Sequence, residues 1–467
     1  MSTYPYAGRF EVNRTLPAKG RPRDEVLAEM EAMAREEDAF WETGRCSGTM
    51  YCGDHEHYDF MNEAFGRFAH VNALQRDMCP SQTRFEGEII AMTLDLLHGE
   101  AITDTEPAGL VTTGGTGSII HAMLAYREWG RNVRGLGEHA RVNVIKPETA
   151  HPAFDKGCHL FDIELRRAPV DPKTTQVDVD WVADHIDGNT VAMIGSACNY
   201  GYGTVDPIAE LSDLAVERGI GLHVDGCLGG FILPFGQELG YDIPVFDFRL
   251  PGVTTMSADT HKYGYALKGS SVLAFRDKAL RDGQYFFLTD WSGGKYCSPG
   301  IEGSRSGGLL AATWASLVSI GRDGYLEYAR RIFETSAAMQ EAVRSHPELQ
   351  ILGDPTFLFS FTADEGEFDV YHINDSMRPK GWRFNGQQYP NALHMAVTRP
   401  QTQPGVAEAF AADLADAVAY AHAHAGEQPQ SGAIYGGVMG GMTAEADEFI
   451  RAVMADMMDA QQGIPPA

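Results

Sequence analysis

Ser257-Ala-Asp-Thr-His261-Lys262-Tyr-Gly-Tyr-Ala-Leu-Lys268-Gly-Ser-Ser271 follows the β-branched run Gly252-Val-Thr-Thr-Met256. The run reads as a short strand, and Lys262 comes where that strand ends. A lysine set among small residues and aromatics at a strand end is poorly placed as a solvated charge. The position suits a desolvated amine of lowered pKa, the state that imine chemistry uses.

Working outward, strands and helices alternate from about residue 70 to 320. Strand-like runs are Ala108–Thr113, Arg141–Lys146, Thr190–Gly195 and Gly219–Asp225. Helical patterns such as Ser118–Trp129 and Ile208–Arg218 lie between them. Such alternation predicts an α/β fold with a large, mostly parallel sheet covered by helices. An acidic helix with Asp24 as N-cap is expected before it, near Asp24–Trp41. A long helix from about Gly324 to His346 leads into a smaller α+β region, with strands at Phe357–Thr362 and Ala392–Thr398 and a loop at 428–432. The domains expected are an N-terminal arm and helix over 1–69, a large α/β domain over 70–322 and a small C-terminal domain over 323–467.

In parallel α/β sheets, ligands sit beyond the carboxyl ends of the strands. There the sequence places Thr113-Gly114-Gly115-Thr116-Gly117-Ser118, Glu148-Thr-Ala-His151, Ser196-Ala-Cys-Asn-Tyr200-Gly-Tyr202, His223-Val-Asp225-Gly-Cys227 and His261-Lys262. Glycines opening a helix bare N–H groups that suit a phosphate, though alone they also make a plain turn. Asp225 could cap a helix, but a carboxylate ending an apolar strand is costly without a cation or strong donor. His151 taken singly reads as a loop histidine. Together these groups are the set that holds pyridoxal phosphate: Lys262 as the Schiff-base lysine with His261 beside it, Asp225 at the ring nitrogen, His151 on the ring face.

Composition bounds the rest. The 467 residues are 44% hydrophobic and 22% charged, as in globular proteins generally. A net charge of -27, from 64 acidic against 37 basic residues, opposes nucleic-acid and anionic-membrane binding. Any anion site must therefore be local. The seven cysteines show no framework spacing, which suits a cytoplasmic protein. No signal peptide or membrane span is read. Cys52-Gly-Asp-His55-Glu-His57 has metal-ligand residue types, but no second cluster completes it and no metal is expected. His422 and His424 read as surface residues on an Ala-rich helix.

With these residues in hand, the chain resembles the sphingosine-1-phosphate lyases, in the group II decarboxylase branch of fold-type I pyridoxal-phosphate enzymes. The likeness runs from about Ser47 to Tyr435. It rests on Asp259-Thr-His-Lys-Tyr-Gly-Tyr265, Lys268-Gly-Ser-Ser271, His223-Val-Asp-Gly-Cys-Leu-Gly-Gly-Phe231, Thr289-Asp-Trp-Ser-Gly-Gly294, Gly303-Ser-Arg-Ser-Gly-Gly308 and Gly432-Ala-Ile-Tyr435.

The resemblance implies retro-aldol cleavage of a phosphorylated β-hydroxy amine, with amino-acid α-decarboxylation as the alternative. It implies that Gly115 and Thr116 hold the cofactor phosphate and that Cys227 covers the ring face opposite His151. Ser304 and Arg305 would approach that phosphate from the second subunit of a homodimer. Tyr51 and Lys268 match residues that hold the substrate phosphate, and Tyr200 matches a tyrosine near the reacting lysine. The departures are Gln75 for a histidine at the substrate phosphate, Gly117 for a glutamate beside the cradle, and Gly226 and Leu267 for alanine and proline. The membrane anchor of the eukaryotic members is not seen.

Overall fold

The computed structural model describes residues 4–364, 366–432, 436–437 and 442–465. Of the Gly432–Tyr435 match, residues 433–435 lie outside the described residues.

Seven strands form the main sheet: β1 (Ala108–Thr112), β2 (Asn143–Pro147), β3 (Glu164–Ala168), β4 (Thr190–Ser196), β5 (Gly221–Asp225), β6 (Val253–Ala258) and β7 (Ser271–Phe275). Their order is β1-β7-β6-β5-β4-β2-β3. Only β7 runs against its neighbours β1 and β6, and the other pairs are parallel. β4, β5 and β7 are buried along their whole length, as strands covered by helices on both faces must be. Register carries the chemistry. Ser196, Asp225 and Ser257 lie side by side across β4, β5 and β6, so the three strands end on one line.

The strand before Lys262 is thus the sixth in the chain. β3 escaped the sequence reading because Glu164, Arg166 and Arg167 give it no apolar run, which an edge strand tolerates. β7 escaped because it follows β6 after a short turn instead of a helix.

The helix starts add detail to the expectation. The first helix runs Arg23–Trp41 with Pro22 as N-cap, so Asp24 stands in the first turn, where it faces the positive helix end. The helix His55–Phe68 has the side-chain cap instead, with Asp54 accepting the His57 N–H. The long helix read from about Gly324 continues, across a kink, a helical stretch that begins at Gly307, where Ser306 accepts the Leu309 N–H as its cap. Gly321 (φ 62°) breaks it part-way before it continues to Arg344.

Beyond the main sheet, β8 (Phe286–Leu288) and β9 (Tyr296–Ser298) form an exposed hairpin. A smaller antiparallel sheet of β10 (Leu349–Ile351), β11 (Leu358–Ala363), β12 (Asn385–Gln387) and β13 (Ala392–Ala396) has the order β10-β11-β13-β12. The N-terminal segment threads into it. Ser47 N–H donates to Arg383 O at 2.9 Å, Gly48 N–H to Ala396 O at 3.1 Å, and Arg399 N–H to Tyr51 O at 3.2 Å. This stitching carries Tyr51 to the main sheet.

One buried charge fastens the edge of the main sheet. Glu86, 4% exposed, accepts from the Val111 N–H at 3.0 Å, from Arg305 at 2.9 and 3.1 Å, and from Arg76. Glu86→Ala should cost about 3–5 kcal/mol of stability, because it strands the Arg305 cation in the interior. Urea unfolding followed by circular dichroism measures it, and a loss below about 1 kcal/mol contradicts the assignment.

Candidate active site

The glycine turn expected to cradle a phosphate lies where β1 turns into the helix Gly115–Asn132. Thr112 Oγ1 bonds Ser118 Oγ at 2.7 Å, and Ser118 Oγ bonds Ser271 Oγ at 2.8 Å, so the helix start is pinned to β1 and β7. The first-turn N–H groups of this helix have no partners within it. Gly114 adopts φ 131°, open to glycine alone in practice. A Cβ on Gly115 would lie 2.7 Å from Asp259 Oδ2 and 2.9 Å from Cys227 Sγ.

Glycine stands at 117, yet a carboxylate occupies the neighbourhood. Glu302, from the loop after β9, accepts from Thr113 Oγ1 at 2.8 Å and lies 3.3 Å from His121 Nε2. Hydrogen bonding to His121 and Thr113 holds Glu302 at a pKa of about 2, against the effect of its partial burial. Sequence reading missed both residues, because they are far apart in the chain and in no motif.

Asp225 ends β5. Its Oδ1 accepts from the Cys227 N–H at 3.0 Å and from Ser257 Oγ at 3.1 Å; both bonds fall on one oxygen. Burial pushes its pKa up, but the Cys227 hydrogen bond and the neighbouring His223 bring it below the usual carboxylate value. His223 itself is buried and pushed down to about 4, so it is neutral near pH 7. Cys227 Sγ donates to Ser257 Oγ at 3.2 Å.

Lys262 corrects one expectation. Burial does lower its pKa, but Asp259 Oδ2 stands 2.9 Å from its Nζ, with Cys227 and Tyr51 near, and the net shift is strongly upward. In the free site the amine is an ammonium. His261 Nδ1 accepts the Ser270 N–H at 3.3 Å, which leaves Nε2 toward Asp259 Oδ2 at 3.7 Å. The sequence contained Asp259 in the motif but gave it no role; its i,i+3 spacing to Lys262 was the signal.

His151 Nδ1 accepts the Ala153 N–H at 3.1 Å, which assigns the proton of the neutral ring to Nε2. Loss of hydration lowers its pKa, although much of the ring's surface is exposed in the single chain. The concave setting reconciles the two: the exposed surface faces a cavity, not open solvent. Tyr200 stacks on buried His394 with ring centres 4.8 Å apart. Its loop is clamped by the small sheet, because Gly201 O accepts from Ser360 Oγ and Gln387 Nε2.

Tyr51, Gly115, Thr116, His151, Tyr200, Asp225, Cys227, His261 and Lys262 all line one cavity of about 810 Å³. Ile119, Ile120, Leu160, Phe161 and Ile301 supply apolar walls. Lys268 is exposed and not among these lining residues, but it lies beside two of them: its Nζ is 4.5 Å from the Tyr51 ring centre and donates to His261 O at 3.3 Å. Burial and the Lys262 charge bring Lys268 down to about 8, and burial takes Tyr51 up to about 12.

Besides Lys268, three expected residues are not in this cavity of their own chain. Gln75 is exposed, and its N–H donates to Asn72 O. Asn72 Nδ2 also donates to exposed Ser304 Oγ at 3.0 Å, so Gln75 and Ser304 share a separate surface patch. Arg305 is turned inward onto Glu86 and Val111 O. The Cys52–His57 run also disperses. Cys52 Sγ meets Arg399, His57 Nε2 meets Tyr265 O and Ser316 Oγ, and His55 joins the exposed acids Asp38 and Glu42.

The donor set fits pyridoxal phosphate: a helix start with room only for hydrogen at Gly115, an ionised carboxylate at the end of β5, and a lysine at the end of β6. Gly115→Ala should fold and lose cofactor retention by at least about tenfold, since its Cβ meets fixed atoms at under 3 Å. Visible absorbance after gel filtration reads it out; retention equal to the parent contradicts the cradle.

The model for the pyridoxal-dependent decarboxylase conserved domain matches residues 9–360. The sphingosine-1-phosphate lyase of Dictyostelium discoideum is 40% identical over 448 residues, covering 95% of this chain and 81% of that protein. That of Arabidopsis thaliana is 40% identical over 96% of this chain and 80% of its own length. Among solved structures, the sphingosine-1-phosphate lyase of Burkholderia pseudomallei matches with TM-score 0.92 and 56% identity, over 99% of this chain and 100% of that one. A Lactobacillus brevis glutamate decarboxylase, 21% identical with TM-score 0.73 over 89% of this chain and 97% of its own, shares the fold.

Proposed function

Since the chain belongs to the sphingosine-1-phosphate lyase family of pyridoxal-dependent enzymes, we propose that it cleaves a phosphorylated, long-chain β-hydroxy amine by a retro-aldol reaction, releasing an aldehyde and an amino phosphate. The observation that carries this reading is one cavity joining Lys262 and Asp225 at adjacent strand ends to apolar walls and to Tyr51, over whose ring the Lys268 ammonium lies. An amphipathic phosphorylated substrate needs both the cation and the walls.

When bound, pyridoxal phosphate supplies an electron sink for the pair released by the breaking bond. The chain's residues do the rest. Lys262 is the lysine that carries the cofactor. Asp225, an anion at neutral pH, holds a proton on the ring nitrogen. Gly115 and Thr116 offer N–H groups to the phosphate, His261 lines the same cavity beside Lys262, and Cys227 covers the ring face opposite His151. His151, with its proton on Nε2, covers the ring and can pass one proton there. Tyr200, held in place by His394 and kept neutral by burial, is the candidate to hydrogen-bond the β-hydroxyl and orient it. Tyr51 and Lys268 bind the substrate phosphate.

We also propose a cytoplasmic homodimer with shared sites. All seven cysteines are free, and no described helix is long and apolar enough to cross a membrane. Gln75 and Ser304 sit together on a surface patch outside their own cavity, as residues offered to a partner's site would. Arg305 has its charge satisfied by Glu86, so Ser304 is the residue of that pair which reaches across. Mixing Lys262→Ala protomers with Ser304→Asp protomers, each inactive, should restore activity in the heterodimer, which contains one intact site. No recovery despite proven subunit exchange would refute the shared site.

α-Decarboxylation uses the same electron sink but needs no cationic phosphate site. Lys268→Ala should raise KM for a phosphorylated substrate roughly tenfold to hundredfold and leave dephosphorylated analogues little changed. Because the Lys268 cation is lost as pH rises through about 8, KM for the phosphorylated substrate should climb above that pH in the parent enzyme. A product assay scoring aldehyde against carbon dioxide over a substrate panel decides the reaction: carbon dioxide from unphosphorylated amino acids would overturn the lyase reading.

A further inference from the structure

Asp259 is a buried carboxylate with one satisfied need. It is 1% exposed, and among the described residues neither oxygen receives a hydrogen bond of acceptable geometry. What it has is the Lys262 ammonium at 2.9 Å, in an oblique charge contact, and His261 Nε2 at 3.7 Å. A buried carboxylate without donors is costly unless a cation stands beside it. Its site is also closed: Gly115 passes so near that a Cβ there would meet both carboxylate oxygens at under 3 Å.

We propose that Asp259 is a positioning residue that acts as the resting counter-ion of Lys262, competing with the cofactor carbonyl for the lysine nitrogen. This rests on the reading of Lys262 as the cofactor lysine. For the nitrogen to attack a carbonyl carbon, the ammonium must first give one proton to water. Its lone pair then forms the carbon–nitrogen bond, and the carbonyl oxygen leaves as water. Every such event breaks the Lys262–Asp259 pair, and every release of the lysine restores it. Asp259 thus makes the free lysine a stable cation and sets the pH at which it becomes a nucleophile.

The other groups around Lys262 do not substitute for Asp259. Asp225 is a second anion, but its Oδ1 is occupied by Cys227 and Ser257. On the side of β4 and the N-terminal segment, burial raises Cys198, Tyr200 and Tyr51, so all three stay neutral, as does Cys227 after β5. His151 and His261 are lowered by burial and are neutral at pH 7. Lys268 is the neighbouring cation and pushes the Lys262 ammonium toward losing its proton.

The test is capture of pyridoxal phosphate by cofactor-stripped protein, followed by visible absorbance in a stopped-flow instrument between about pH 6 and 9. Borohydride trapping and peptide mapping locate the lysine. The parent rate should rise about tenfold per pH unit across this range, as for an amine still protonated throughout. Asp259→Asn should capture at least about tenfold faster at pH 7, with its profile displaced to lower pH. A purely structural role for Asp259 would not move the profile. Identical profiles, or slower capture by Asp259→Asn at every pH, overturn the proposal. Should that variant fail to fold, the parent alone decides: a capture rate flat between about pH 7 and 9 overturns it. A tag on Lys262 with a flat profile defeats only this inference, whereas a tag on another lysine defeats the cofactor assignment itself.

Discussion

The side-by-side register of Ser196, Asp225 and Ser257 is the constraint on which the site depends. Parallel strands joined by right-handed crossovers must end on the same edge, and here three of them end level. The chain then has only short distances to cover. Two residues past Asp225 comes Cys227, and five past Ser257 comes Lys262. A slip of one residue in β5 would turn Asp225 to the other face of the sheet and separate it from Ser257. Side-chain chemistry at the site is therefore secured by backbone pairing in a wholly buried strand.

The electrostatics follow from burial. The protein is strongly acidic overall, yet Lys262 lines the cavity with Lys268 beside it. Each cation meets a different fate. Lys262 is buried with a carboxylate and is held charged. Lys268 lies over an aromatic face without such a partner and is held close to its titration point.

The chemistry was more legible in the sequence than the architecture around it. Lys262, Asp225, His151 and the Gly115 turn could be read because each follows an apolar run and breaks it with a polar group. The edge strand β3 was hidden by its charges, and β7 by the absence of a helix before it. Where Gln75, Ser304 and Arg305 stand could not be read at all. Their neighbours are Asn72 and Glu86, more than two hundred residues from Ser304 and Arg305 in the chain. Nothing local in Gly303-Ser-Arg-Ser-Gly says that the serine faces outward and the arginine inward. The same holds for the stacking of His394 on Tyr200 and for the clamp of Glu302 on His121: these are products of tertiary packing between distant segments.

The Tyr200 loop is also where the two sheets touch most tightly. A Cβ on Gly203 would lie 2.1 Å from Leu358 O, and Tyr263 Oη donates to Val397 O at 2.8 Å on the same seam. At Gly203 backbone meets backbone, and around it side-chain donors bond directly to carbonyls across the seam. The small sheet is for that reason a fixed wall and not a hinged door. A long hydrocarbon cannot enter by parting the sheets without tearing this seam. Among the cavity-lining residues, Leu160 at the end of a short helix, 56% exposed, and Ile301 are apolar side chains open to solvent, and the proposed substrate's chain would meet them. Selection of chain length then becomes a matter of how these exposed side chains, against a rigid back wall, tolerate bulk.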